Sequence, residues 1–156
     1  MKLIPVLLSL FVLTAQAEVT LLQGVVSKVQ DGDTLALTSD KATYKVRLAE
    51  IDAPELKQSF GKEAKESLTQ VAMGKNVTAH CASRDIYGRY ICKVLFNDSD
   101  LAMHQMNRGM AWVYVGYAKK SSPMFKLEAK AKKDKTGLWK ETSPVAPWVF
   151  RKQKTV

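Results

Sequence analysis

Residues 21–48 read LLQGVVSKVQDGDTLALTSDKATYKVRL, and this stretch carries three of the predicted β-strands. Two apolar segments of high β propensity flank the Asp31-Gly32 dipeptide, a pattern typical of a β-hairpin. Three apolar residues then alternate with polar ones and predict a third strand: Tyr44, Val46 and Leu48. Arg47 falls on the opposite face of that strand, so its side chain is predicted to point into solvent or into a cleft.

The rest of the chain contains two more predicted strands and three predicted helices. A helix is expected over residues 60–73, followed by strands at 77–81 and 90–96. Further helices are expected at 100–109 and 122–136, because each begins at residue types that favour a helix N-terminus and ends near a glycine. One helix after the third strand and two at the end make an α+β pattern. It fits a five-stranded Greek-key β-barrel of the OB type.

The N-terminal segment has the features of a signal peptide. Lys2 is followed by an apolar run over residues 3–13 and by Ala15-Gln16-Ala17, small residues of the kind that signal peptidases recognise. The apolar run is too short to serve as a stable membrane anchor. We therefore expect a signal peptide at 1–17, cleavage near Ala17 and a secreted or periplasmic protein. Residues 18–142 form the predicted domain, and 143–156 form a basic C-terminal tail.

The chain is strongly basic, with 24 Lys and Arg against 15 Asp and Glu, a formal charge of +9. Lys2 is the charged residue of the predicted signal peptide, so its removal leaves +8. A basic protein is attracted to polyanions, which include both nucleic acids and anionic membrane surfaces. The sequence gives no sign of an obligate protein partner.

The two cysteines, Cys81 and Cys92, are predicted to form a disulfide. An even number of cysteines in an exported protein favours a bridge. The two residues lie opposite each other if their strands pair symmetrically about the turn around Tyr87. Two free thiols are the alternative. Zinc is disfavoured, because His80 and His104 do not lie at the spacing of a zinc site.

A group of carboxylates follows the first and third strands. Asp33 comes directly after a tight turn, and Asp52 stands two residues before Pro54. Pro54 favours an extended backbone at Ala53, which can turn the Ala53 carbonyl outward as a neutral oxygen ligand. Two carboxylates, one carbonyl and water suit a partly open Ca²⁺ site. Glu55 could accept a proton from an attacking water or bind the metal through water.

Two arginines are candidates for binding a phosphate group. Arg47 lies between the two aspartates in sequence, and Arg89 follows the Asp85-Ile86-Tyr87-Gly88 turn. A guanidinium can bind two phosphate oxygens and stabilise the charge that develops on them during hydrolysis. Arg89 could instead pair with Asp85 within the turn.

Three tyrosines are candidates for nucleotide contacts: Tyr87, Tyr114 and Tyr117. Base stacking on an aromatic ring tolerates any sequence. For Tyr114, packing in the core beside Trp112 is the alternative.

These motifs, in this order, resemble the staphylococcal-nuclease-like (thermonuclease) family. The resemblance rests on Asp31-Gly32-Asp33-Thr34, Arg47, Ile51-Asp52-Ala53-Pro54-Glu55, Asp85-Ile86-Tyr87-Gly88-Arg89 and Gly109-Met110-Ala111, and it extends from Leu22 to Trp139. It implies an OB-fold barrel with three helices. It also implies calcium-dependent hydrolysis of DNA and RNA that leaves 3′-phosphate ends.

The resemblance also implies a role for each matched residue. Asp33, Asp52 and the Ala53 carbonyl correspond to the calcium ligands, and Glu55 corresponds to the general base. Arg47 and Arg89 match the phosphate-binding arginines. The nucleotide-contacting tyrosines are matched by Tyr87, Tyr117 and, less closely, Tyr114.

The chain departs from the type member of the family at several places. Ala53 replaces a threonine, the segment at 56–60 is shorter than the type member's mobile loop, and the cysteine pair and the extension after Trp139 are additional. A catalytically silent OB-fold nucleic-acid-binding protein is the alternative function. A basic surface-binding protein with a structural calcium site is a third possibility.

Overall fold

The computed structural model describes residues 19–40 and 42–153. The predicted signal peptide, residues 1–17, lies outside the described residues. Among the residues that are described, no helix is long and apolar enough to cross a membrane.

The described residues form eight strands, four α-helices and one short 3-10 helix. The strands are β1 (Thr20–Val29), β2 (Thr34–Thr38), β3 (Thr43–Leu48), β4 (Ile51–Asp52), β5 (Asn76–Arg84), β6 (Tyr90–Phe96), β7 (Ser99–Asp100) and β8 (Trp112–Val113). The helices are α1 (Gly61–Ala72), α2 (Leu101–Asn107), α3 (Met124–Lys133) and α4 (Pro147–Gln153), with the 3-10 helix at Gly137–Lys140.

Five of the strands close into a barrel. Strand β1 pairs antiparallel with both β2 and β5, β2 pairs with β3, and β5 pairs with β6. A parallel pairing of β3 with β6, which places Arg47 opposite Ile91, completes the circuit. Strand β7 extends the sheet beyond β6, and β4 pairs with β8 in a small second sheet. The predicted α+β class and five-stranded OB barrel are confirmed.

Helix α4 is one helix more than the three that the sequence predicts. Its seven residues span about two turns, too few for a helical apolar period to stand out. Pro147 occupies the first helical position, where its missing N–H is not needed. The helix packs on the body through Trp148, whose ring centroid lies 5.8 Å from that of Trp112. The basic tail is therefore docked over its described part.

The Asp31-Gly32-Asp33 turn is held tightly against the helices. Buried Gln105 of α2 donates hydrogen bonds from its side-chain amide to the carbonyls of Gly32, at 2.7 Å, and Ala64, at 2.9 Å. A Cβ atom at Gly32 would lie only 2.6 Å from the Cβ of Ala53. Glycine is thus required for close packing, and this packing sets the distance between the two segments that carry Asp33 and Asp52.

Cys81 and Cys92 form the predicted disulfide. They stand opposite each other in the β5–β6 pairing, eleven positions apart in sequence. Both residues are buried in the barrel core. The bridge ties together the hairpin whose tip carries Tyr87 and Arg89.

Reduction of this disulfide is expected to lower the free energy of unfolding by about 3 kcal/mol at most, because a short closed loop restricts the unfolded chain only modestly. Urea unfolding with and without a reductant measures the change. A variant with both cysteines replaced by alanine is the control, since reductant cannot act on it. Equal midpoints for the wild-type protein in both conditions would contradict the prediction.

Candidate active site

One cavity of about 790 Å³ opens at the end of the barrel beside β3, β4 and the β5–β6 hairpin. Its walls include all nine predicted metal, catalytic and nucleotide-binding residues: Asp33, Arg47, Asp52, Ala53, Glu55, Tyr87, Arg89, Tyr114 and Tyr117. The fold therefore brings together segments far apart in sequence. The roles of these residues stay predictions, and the geometry below defines what each one can do.

Asp33 and Asp52 are buried side by side in the floor of the cavity, with 6% and 2% of their surface exposed. Asp33 Oδ2 accepts a hydrogen bond from the Ala53 backbone N–H at 2.8 Å, and Asp33 Oδ1 accepts one from the Thr34 hydroxyl at 2.9 Å. The turn after β1 is thereby linked directly to the segment after β4. The two aspartates and the backbone of Ala53 form one oxygen-rich cluster.

Arg47 lies between these carboxylates and is only 5% exposed. Its Nη2 atom is 3.2 Å from Asp52 Oδ1 and 3.8 Å from Asp33 Oδ2. The guanidinium carbon also lies 5.4 Å from the ring centroid of Tyr114 and 5.5 Å from that of Tyr117. Of the two surroundings predicted for Arg47, the cleft is therefore the one observed, with the guanidinium fixed by two charges and two rings.

The turn from Asp85 to Arg89 orients the Arg89 side chain toward the cavity. The Asp85 carboxylate accepts hydrogen bonds from the backbone N–H groups of Tyr87, at 3.0 Å, and Arg89, at 2.9 Å, and from Arg89 Nε at 2.6 Å. Burial alone would raise the pKa of Asp85, but these bonds from Arg89 lower it below its usual value. Arg89 Nη1 also donates to the Thr34 hydroxyl at 3.4 Å. The pairing with Asp85 thus exists and positions Arg89 for the site.

The tyrosines occupy two different settings. Tyr87 is 76% exposed beside Ile86 at the tip of the hairpin, where it is open to a ligand. Tyr114 and Tyr117 pack against each other with their centroids 5.0 Å apart. Tyr114 also lies near the ring of Trp148 from α4, so it is part of the cavity wall as well as of the packing.

Two carboxylates of the cavity, Asp31 and Asp52, have raised pKa values, and burial is the main cause. Burial and the nearby charge of Asp33 raise the pKa of Asp31 to about 7. Burial is also the main cause that raises the pKa of Asp52, with Asp33 adding to the effect and hydrogen bonds from Arg151 opposing it. Carboxylates in such a cluster are stabilised in their charged form by a cation.

The donor set fits a hard dication with open coordination positions. Among the residues that the structure describes, no three Asp, Glu, His or Cys side chains are arranged to hold a metal. Asp33 and Asp52 supply two carboxylates, while the Ala53 carbonyl and water are oxygen ligands of the kind that complete a Ca²⁺ site. With oxygen donors alone, the site suits calcium or magnesium better than zinc.

Arg151 lines the cavity too, and the sequence did not reveal it as a site residue. Its Nη1 atom lies 2.8 Å from Glu55 Oε1 and 3.2 Å from Asp52 Oδ1, and its Nη2 atom lies 2.7 Å from Asp52 Oδ2. The hydrogen bonds to Asp52 are the main cause that raises the pKa of Arg151, and the bond to Glu55 adds to the effect. The apolar residues Trp148 and Phe150 beside it were the available signal that the tail docks on the body.

Comparison with known proteins gives the same relationship as the motifs. A family model described as staphylococcal nuclease homologue matches residues 45–141. The chain is 35% identical over 135 residues to an uncharacterized endonuclease of Escherichia coli O157:H7, covering 85% of this chain and 87% of that protein.

Two further relatives differ in how much of their length is matched. The chain is 31% identical over 140 residues to the micrococcal nuclease of Shigella flexneri, covering 83% of this chain and 80% of that protein. It is 39% identical over 111 residues to an uncharacterized 38.1 kDa protein of Capnoides sempervirens, covering 71% of this chain but only 32% of the plant protein. The match to the family model and to these relatives shows that the chain belongs to the staphylococcal nuclease homologue family.

Proposed function

We propose that this protein is a calcium-dependent nuclease that hydrolyses phosphodiester bonds of DNA and RNA and leaves 3′-phosphate ends. The observation that carries the proposal is the cavity in which Asp33 and Asp52 lie beside Arg47, with Glu55 and Arg89 on its walls. Relatives named endonuclease and micrococcal nuclease support the same class of activity. We further propose that the protein acts after export, in the periplasm or outside the cell.

Asp33, Asp52 and the Ala53 carbonyl would hold the calcium ion. When bound, calcium supplies positive charge next to the phosphate that is attacked. The same carboxylates also fix the guanidinium of Arg47, so one cluster of residues positions both kinds of positive charge.

Glu55 is the candidate proton acceptor. As the water oxygen forms its bond to phosphorus, Glu55 takes a proton from that water. The bond from phosphorus to the 5′-oxygen breaks, and this oxygen takes up a proton from solvent. The products are a 3′-phosphate and a free 5′-hydroxyl. The alternative role of Glu55 is to orient the attacking water without accepting its proton. It would do so from the same position.

Arg47 and Arg89 act on the charge that builds on the phosphate oxygens. Both guanidinium groups are already oriented, Arg47 by Asp52 and Arg89 by Asp85. Preorganised donors stabilise the transition state without a cost of reorganisation at the moment of reaction. Tyr87, exposed at the rim of the cavity, would contact a base or sugar.

The test is an assay of DNA and RNA cleavage with calcium and with a calcium chelator. We expect cleavage in calcium and none in the chelator, because two buried carboxylates need the dication to act on phosphate. We also expect products whose 3′ ends a polymerase extends only after phosphatase treatment. Binding without cleavage in calcium would favour the silent binding protein, and full cleavage in the chelator would refute the calcium requirement.

The proposed export is tested on the protein recovered from the periplasmic or culture fraction of its host. N-terminal sequencing is expected to begin at Glu18, directly after the predicted cleavage site. An N-terminus at Met1 in protein that remains inside the cell would contradict export.

A further inference from the structure

The guanidinium of Arg151 is placed on the two carboxylates that the proposed reaction needs most. It contacts both oxygens of Asp52, at 3.2 and 2.7 Å, and Glu55 Oε1 at 2.8 Å. The Asp52 side chain is 3% exposed, whereas the Arg151 side chain is 45% exposed. Arg151 therefore reaches the site from the solvent side and covers a carboxylate that is buried on its other sides.

The docking of the tail fixes this position. Helix α4 is anchored by Trp148 against Trp112. In addition, the hydroxyl of Ser59, just before α1, donates a hydrogen bond to the Glu141 carboxylate in the segment before α4. Gln58 joins the two parts again, because its Nε2 donates to the Val145 carbonyl at 2.5 Å.

Gln58 also connects the tail to the candidate base. Its Oε1 accepts a hydrogen bond at 3.1 Å from the backbone N–H of Glu55. One glutamine side chain thus holds both the segment before α4 and the backbone of Glu55. These bonds hold both the backbone of Glu55 and the segment that leads to Arg151, so they support the contact between the two side chains.

The guanidinium of Arg151 occupies the Asp52 oxygens that a metal ion would need. Two N–H groups of Arg151 point at the two carboxylate oxygens, and Arg47 Nη2 shares Oδ1 at 3.2 Å. A metal ion binds through the same oxygen lone pairs. The positive charge of Arg151 also offsets the negative charge that attracts a dication.

We propose that Arg151 is a built-in counter-cation of the active site, which lowers the affinity for calcium and withdraws when calcium binds. This inference rests on the proposed calcium-dependent function. Without metal, Arg151 neutralises buried Asp52, contacts Glu55 and keeps the site assembled. When the metal binds, Arg151 is released from Asp52. Arg151 and the calcium ion therefore compete for the same carboxylate.

Calorimetric titration with calcium alone, without nucleotide, tests the inference. Coupling between two sites of a protein typically changes an affinity 5- to 150-fold. We expect the direct competition for Asp52 to act in the same range, so that Arg151→Ala and Arg151→Gln bind calcium about tenfold more tightly than the wild-type protein. Lys152→Ala is the matched control, because it removes the same charge from the same helix at an exposed position that does not line the cavity. Its calcium affinity should equal that of the wild type.

Thermal unfolding gives a second reading that does not depend on activity. Calcium should raise the melting temperature more in Arg151→Ala than in the wild type, because stabilisation by a ligand grows with its affinity. A cooperative melt of each Arg151 variant also shows that this variant is folded.

The outcomes separate this inference from the proposed function. Tighter binding in both Arg151 variants, or binding in them alone, supports the counter-cation. Equal or weaker binding in the Arg151 variants, or an equal gain in Lys152→Ala, overturns it. If the wild type binds calcium and the variants do not differ, the inference fails alone; if no protein binds, the calcium requirement fails with it.

Discussion

Asp52→Asn is expected to lower the rate of phosphodiester cleavage at saturating substrate by about 1000-fold at a fixed calcium concentration. Asp52 is a buried carboxylate that orients Arg47 and supplies one of the two charged ligands of the proposed calcium site. Loss of about 4 kcal/mol of transition-state stabilisation corresponds to a factor of that size. Cleavage rates across a calcium titration measure it, and excess calcium should restore only part of the activity.

The variant should still fold, which separates a loss of chemistry from a loss of structure. Burial raises the pKa of Asp52, so its charged form costs folding free energy at neutral pH, and a neutral amide of similar shape removes that cost. Arg47 keeps Asp33 as a partner at 3.8 Å. Asp98→Asn, at an exposed turn away from the cavity, is the matched control and should behave as the wild type. Near-normal cleavage by a folded Asp52→Asn protein would show that this carboxylate is not a metal ligand.

Arg89→Ala is expected to reduce turnover by roughly 100- to 1000-fold, with a smaller effect on the apparent affinity for substrate. Removal of one preorganised donor to a charged transition state typically costs about 3–4 kcal/mol. Arg89 gives a cleaner test than Arg47, because removal of Arg47 would take a guanidinium away from buried Asp33 and Asp52 and destabilise the protein. Steady-state kinetics on a defined oligonucleotide separate turnover from affinity.

Two variants complete this test. Arg108→Ala removes an exposed arginine that does not line the cavity, and its turnover should be unchanged. Asp85→Asn keeps Arg89 but removes the charge that holds its Nε, so it should lose less turnover than Arg89→Ala. Unchanged turnover in Arg89→Ala would exclude Arg89 from the transition state, and a change confined to substrate affinity would limit it to binding.

The sequence predicts those parts of the site that depend on local patterns. The Asp31-Gly32 turn, the alternation around Arg47 and the turn at Asp85 each act over a few residues, where backbone preference and spacing determine the structure. The disulfide is predictable for the same reason, because Cys81 and Cys92 belong to one hairpin. The closed barrel then brings all nine predicted residues to one cavity.

Contacts between distant segments are what the sequence does not reveal. Arg151 and Asp52 are 99 positions apart, and no pattern within either segment encodes their pairing. The burial of Arg47 has a similar origin. Its strand face is polar in sequence, yet β6, the aspartates and two tyrosines surround it after the barrel closes. The sequence predicts one helix too few because α4 owes its stability to packing on Trp112 rather than to its own sequence pattern.

The parallel pairing of β3 with β6 also bears on the order of events during folding. The two strands are separated in sequence by β4, α1 and β5, so their pairing closes a long loop and is expected to come late. Until it forms, Arg47 on β3 and the Arg89 turn before β6 are not held on one cleft. A partly folded chain therefore lacks the assembled cavity, so we expect any activity of this site to appear only after the barrel has closed.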